Sequence, residues 1–94
     1  DFTCSNCNSL TSLEGAPKEI GGSFYCDNCD SLTSLEGAPE KVRRNFNCSN
    51  CKSLTSLEGA PKEVDGNFCC SFCGSKFTQE DVKKVSNVKG RIKV

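Results

Sequence analysis

The sequence predicts a solenoid: a chain wound into stacked coils joined by a ladder of parallel strands. Little helix is expected in the coils, and a short helix plus a strand should cap the C-terminal end. Three observations carry this reading. Phe recurs at positions 2, 24, 46 and 68, a fixed period of 22 residues. The string SLTSLEGAP stands unchanged at residues 9–17, 31–39 and 53–61. A Cys-x-x-Cys pair follows every Phe: Cys4 and Cys7, Cys26 and Cys29, Cys48 and Cys51, Cys70 and Cys73. A period of roughly 20–50 residues, held without insertion, marks a repeat array whose units bury their apolar side only by stacking on neighbours.

The solenoid spans residues 1–74, with strands starting at 2, 24, 46 and 68, and the cap spans 75–94. Within one coil, Phe24 and Cys26 point to one side and Tyr25 to the other, the alternation of a strand. Leu32 and Leu35 follow three apart, Gly37-Ala38-Pro39 interrupts any regular element, and Val42 returns an apolar side chain inward. Seven positions per coil thus face the interior: Phe, two Cys, two Leu, Ala and Ile or Val. Twenty-two residues leave no room for a strand plus a long helix, so the return is expected to be extended or turn-like. After Cys73 the pattern fails, and Lys76 stands where other coils have Leu10, Leu32 and Leu54. Thr78 followed by Gln79-Glu80-Asp81 reads as an N-cap with an acidic first turn. Phe77, Val82 and Val85 fall on one face of that helix, and residues 88–94 alternate as a last strand.

Composition bounds the function. The 94 residues make one small domain, and 35% apolar content argues against a large core. Twelve basic and twelve acidic side chains cancel, which speaks against general nucleic-acid binding. The cancellation hides an asymmetry: residues 75–94 carry six basic and two acidic groups, residues 1–74 six basic and ten acidic. No run of about 18 apolar residues exists for a membrane span. The chain begins at Asp1 without Met, which leaves a removed leader or a preceding segment open. There is no His, no Gly-rich phosphate loop and no nucleophile–base arrangement, so an enzyme is not expected. Glu14, Glu36 and Glu58 recur at one corner and read as a solvated edge.

The spacing of Phe24, Cys26, Cys29 and Leu32 resembles the cysteine variant of the leucine-rich repeat, whose last four anchor positions these residues match. The resemblance covers residues 2–74, and its wording is most similar to short repeats of the bacteriophage and bacterial type. One departure stands out. Ile20, Val42 and Val64 precede the Phe by four residues rather than three, which implies a bulge or an offset at the start of the strand. The resemblance implies a non-catalytic binding or structural module, with outward strand residues lining the face that meets a protein partner.

Nine cysteines admit three readings. Strands of a parallel ladder lie about 4.8 Å apart, so Cys4, Cys26, Cys48 and Cys70 form one column and Cys7, Cys29, Cys51 and Cys73 a second. In the first reading both columns are reduced core residues, small buried hydrophobes with no cofactor. In the second, neighbours pair as disulfides between adjacent coils or within one coil, since about 4.8 Å lies within disulfide Cα range. In the third, the eight column cysteines bind zinc or iron–sulfur clusters between coils, as paired Cys-x-x-Cys motifs often do. Two parallel columns form a flat rectangle of sulfurs, however, whereas zinc prefers a tetrahedron. Reduced thiols would suit the cytoplasm and a disulfide ladder an extracellular setting. Cys69 occupies the outward position held elsewhere by Thr3, Tyr25 and Asn47, and is expected to be an accessible, reactive thiol.

The repeats separate scaffold from surface. LTSLEGAP is constant, whereas the outward strand positions vary. Tyr25, Asp27 and Asn47, with Arg43 and Arg44 in the following turn, form the expected contact patch, because aromatics and Arg are enriched at interfaces. Phe72 is placed outward by the same register and either joins that patch or lies under the cap. No cap residues precede the first strand, so end-to-end self-association through the N-terminal coil is a second expected contact.

Overall fold

A computed structural model describes all 94 residues as a β-solenoid. Two parallel ladders run its length. The first contains β1 (Phe2–Thr3), β3 (Phe24–Tyr25), β5 (Phe46–Asn47), β7 (Phe68–Cys69) and β9 (Ile92–Lys93), in that order. The second contains β2 (Glu19–Ile20), β4 (Lys41–Val42), β6 (Glu63–Val64) and β8 (Asn87–Val88). Register follows the repeat: Phe2 pairs with Phe24, Phe24 with Phe46 and Phe46 with Phe68.

The second ladder is an addition to the expected architecture. The four-residue step from Val42 to Phe46 does not mark a bulge in one strand. It separates two strands, β4 and β5, that belong to different ladders and meet at a three-residue corner. Each corner is held by a side chain directly before the Phe position. Asp1 accepts from the Ser23 N–H (2.9 Å), Ser23 from Asn45 (3.1 Å), Asn45 from Asn67 (2.9 Å) and Asn67 from Arg91 (2.8 Å). A small acceptor there satisfies a backbone donor that the turning chain would otherwise leave unpaired.

The interior is one continuous column. Phe24, Phe46 and Phe68 are fully buried, and the rings of Phe2 and Phe24 stack with centroids 4.9 Å apart. Phe24 and Phe46 stack at 5.5 Å, while Phe46 and Phe68 are tilted by 43°. Leu32, Leu35, Leu54 and Val42 complete the wall. Ala38 is only half-buried, and the fully buried Pro39 and Pro61 take the inward place expected for the alanines. Gly37 has φ +88°, and a β-carbon there would collide with the Glu14 backbone of the coil before. The glycine is therefore required by both backbone sign and coil spacing.

The C-terminal segment continues both ladders rather than ending one. Helix α1 (Gln79–Val85) is capped by Thr78, whose side chain accepts from the Asp81 N–H while the Asp81 carboxylate accepts from the Thr78 N–H. Val82 on the inner face of this helix is fully buried, and Phe77 just before it nearly so. The chain then contributes β8 beside β6 and β9 beside β7, with Ile92 standing next to Phe68. One terminal strand was expected; the two observed share the Val-to-Ile step of four that the preceding coils use at the same corner.

Candidate functional site

The cysteines form an ordered lattice of free thiols. Each second-column thiol points diagonally to the coil before it. Cys29 donates to the carbonyl oxygen of Cys4 (3.1 Å), Cys51 to that of Cys26 (3.2 Å) and Cys73 to that of Cys48 (3.2 Å). No backbone N–H reaches these three carbonyls, so the weak S–H donors satisfy acceptors that the ladder leaves over. First-column thiols Cys4 and Cys48 turn toward the following coil, each 3.4 Å from the carbonyl of Tyr25 and Cys69 respectively. Exposed Cys7 has no coil before it and reaches only the carbonyl of Ser5, 3.7 Å away.

Burial decides most of the electrostatics. Desolvation pushes the Cys4 and Cys70 thiols up to about 12 and Cys51 to about 11, and drives Cys26 well above the ordinary range. Cys73 departs from this pattern. The adjacent Cys48 side chain lowers it to about 7, and the same proximity raises fully buried Cys48. No group of three or more His, Cys, Asp or Glu side chains converges in an arrangement suited to a metal ion. The thiols are spent on backbone carbonyls of their own and neighbouring coils.

The expected contact patch is dispersed. Tyr25 and Asn47 are half-buried neighbours across β3 and β5. Asp27 accepts from the Ser5 hydroxyl (2.6 Å) and from the Asn28 amide (3.0 Å), so its carboxylate is engaged along the same face. Arg43 points instead to the second ladder, where it pairs with Glu19 at 2.6 Å. Arg44 is exposed at the corner, and no hydrogen bond or ion pair joins either arginine to Tyr25 or Asp27. Cys69 is half-buried rather than freely accessible. Desolvation raises its thiol, and neighbouring Lys93 on β9 offsets this only in part.

Phe72 lies apart from that patch and is not covered by the cap: it is 84% exposed. It has φ +58°, the left-handed conformation that Asn6, Asn28 and Asn50 adopt at the same turn. Asn tolerates that region and Phe does not, so the position carries strain. With Cys70, Cys73, Phe77 and Val94 it borders an open cavity of about 360 Å³. Sequence reading placed Phe72 outward but missed its backbone. The signal was present in the motif Cys-x-Asn-Cys, broken only in the fourth coil. The diagonal pairing of thiols left no such trace, because the side-chain rotamers that create it have no counterpart in spacing.

No known protein family, curated protein or solved structure matches this chain. No helix is long and apolar enough to cross a membrane.

Proposed function

We propose that the protein is a non-catalytic binding module of the leucine-rich-repeat type that presents its first ladder to a protein partner. One observation carries the reading: a uniform buried Phe column supports a varied outer row of Thr3, Tyr25, Asn47, Cys69 and Lys93 in strict register. Constant core with variable surface is what a scaffold for recognition needs, since contacts change without altering the stack. The strained, exposed Phe72, in the turn that follows β7, supports the same reading, because strain of this kind persists where the surrounding structure enforces it. A photo-crosslinking residue at position 47 tests this. Adducts formed there and absent with the probe at exposed Lys62 support it; equal labelling from both sites, or none, removes it.

End-to-end association of this chain is a second contact mode. The outer edges of β1 and β9 pair with no strand, and parallel ladders offer complementary edges to a second copy. Residues 75–94 are net basic and residues 1–74 net acidic, so head-to-tail contact would join segments of opposite charge. Light scattering across concentrations tests it: mass growing with concentration supports stacking, and a constant monomer mass ends it. Zinc or an iron–sulfur cluster held by the cysteine columns is the competing function. Elemental analysis separates the two, since stoichiometric metal would displace the reading of the thiols as carbonyl donors.

A further inference from the structure

We propose that the cleft between the third coil and helix α1 is a binding site for a Leu-Glu-Gly turn of a partner polypeptide. The chain itself supplies the template. In each of the first two coils the Leu N–H of this turn donates to the Glu carbonyl of the next coil, Leu13 to Glu36 (2.9 Å) and Leu35 to Glu58 (3.0 Å). At Leu57 the series stops. No backbone carbonyl reaches its N–H, although the residue is only 6% exposed. A donor so placed needs an acceptor from outside the chain.

The fourth coil explains the missing rung. It follows the third through Gly74, bonded to Cys51, and Ser75, bonded to Leu54, and rejoins it at Asn87, bonded to Lys62. Residues 76–86 make no backbone hydrogen bond to the third coil, because the chain detours there into α1. Register shows why. The positions that would repeat Leu57, Glu58 and Gly59 are held by Gln79, Glu80 and Asp81. Gly37 and Gly59 have φ of +88° and +89°, and a β-carbon on either would strike the backbone of Glu14 or Glu36 in the coil before. Asp81 cannot take that place against Glu58, whereas a partner's glycine can.

The detour leaves an open cleft of about 530 Å³ with Leu57, Phe77 and Val85 in its lining. These apolar side chains suit the leucine of the turn. Lys76 and Lys84, which make no ion pair, suit its carboxylate. Of the two acids on the rim, Asp81 is engaged at the Thr78 N–H, so Glu58 stands against two lysines in the charge balance. The partner adds one rung to a backbone ladder, as extended peptides do at open sheet edges, and the interface that joins coil to coil continues into the cleft. A folded second copy does not fit, since β7 and β8 occupy the layer its first coil would need. The site lies off the first ladder and is independent of recognition by Tyr25 and Asn47.

The experiment titrates the isotope-labelled 94-residue protein with the end-blocked peptide Thr-Ser-Leu-Glu-Gly-Ala-Pro, the sequence of residues 33–39, and follows backbone amides by NMR. Saturable binding is expected, with the Leu57 amide proton moving downfield and the other changes confined to the cleft. A peptide with Ala in place of Gly should bind about tenfold more weakly, from its β-carbon and backbone sign alone. A peptide with Ala in place of Leu should also bind more weakly. Both comparisons leave the protein unaltered, so folding does not enter. An unmoved Leu57 amide at millimolar peptide, equal affinity for either Ala peptide, or shifts gathered at Tyr25 and Asn47 would each overturn the proposal.

Discussion

The Cys51 thiol donates to the carbonyl oxygen of Cys26, 3.2 Å away in the coil before. Both residues are fully buried, and no backbone N–H reaches that carbonyl. The sulfur therefore fills space and satisfies a polar group at once. Cys51→Val keeps the volume but removes the donor, at an expected loss of about 1–3 kcal/mol. Cys51→Ser keeps a donor on a shorter arm and should retain more stability than Val. Urea unfolding at neutral pH under reducing conditions measures both; a Val variant more stable than the Ser variant would show that packing alone explains the column.

Asn45 links three coils through its backbone and its side chain. Its backbone N–H donates to the Ser23 hydroxyl oxygen, and its carboxamide oxygen accepts from the Asn67 N–H. Asn45→Ala leaves that N–H without its partner and should cost about 1–2 kcal/mol. Asn45→Asp preserves the acceptor and should recover most of the loss. Thermal unfolding of the two variants is the check.

Phe72 holds a left-handed backbone that its side chain disfavours. Because the ring is 84% exposed, replacing it forfeits little burial. Phe72→Asn should stabilise the chain by about 1 kcal/mol, the penalty a non-glycine residue pays in that region. The same substitution should weaken partner capture if the ring is a contact. A more stable variant with weaker binding is the expected combination, read by urea titration and by crosslinking yield.

Alkaline pH should unfold the protein earlier than its modest charge suggests. Burial raises the folded-state thiols of Cys4 and Cys70 to about 12 and of Cys51 to about 11, and drives Cys26 well above the ordinary range; contact with Cys73 and then burial raise Cys48 likewise. An unfolded thiol ionises near about 8.5. Above that value the unfolded chain binds fewer protons than the native one, so stability falls as pH rises. Cys73 has the opposite sign: its contribution is present above the unfolded thiol value and is lost as pH falls through about 7. With Cys29 and Cys69 also raised, seven raised thiols outweigh one lowered thiol. The melting temperature, followed from pH 7 to 11 under reducing conditions, should decline beyond about pH 8.5. A flat profile would contradict the burial of the columns.

Thr78 organises the only helix, in a segment that also supplies β8 and β9. Thr78→Ala removes the acceptor for the Asp81 N–H and should cost about 1 kcal/mol. Hydrogen exchange should accelerate chiefly in residues 79–93, with the Phe46 and Phe68 amides accelerated less.

The architecture was legible because the repeat repeats its packing. Phe at a fixed interval implies stacked rings, and the rings do stack between Phe2, Phe24 and Phe46. Thr78 with its acidic first turn marked a helix start, whereas the left-handed turn at Asn6, Asn28 and Asn50 went unread although the repeated Asn carried it. These are local signals: a backbone sign or a capping bond is set within a few residues. The corner was harder. Spacing showed one residue too many before Phe46 but not that the extra length separates two ladders, since that depends on which strand lies alongside.

The sequence by itself determined the coil length, the inward columns and the side of the strand each residue faces, because period and alternation are properties of the chain. Only the tertiary structure decided what the thiols touch. Cys73 could have met Cys51 directly across the ladder or Cys70 within its coil, yet rotamer and coil offset turn it to Cys48. It likewise took the folded stack to separate Arg43 from Tyr25, as Glu19 draws the guanidinium to the opposite ladder. Contacts of this kind depend on distances between coils, and a one-dimensional repeat specifies which coils are neighbours without specifying how their side chains reach across.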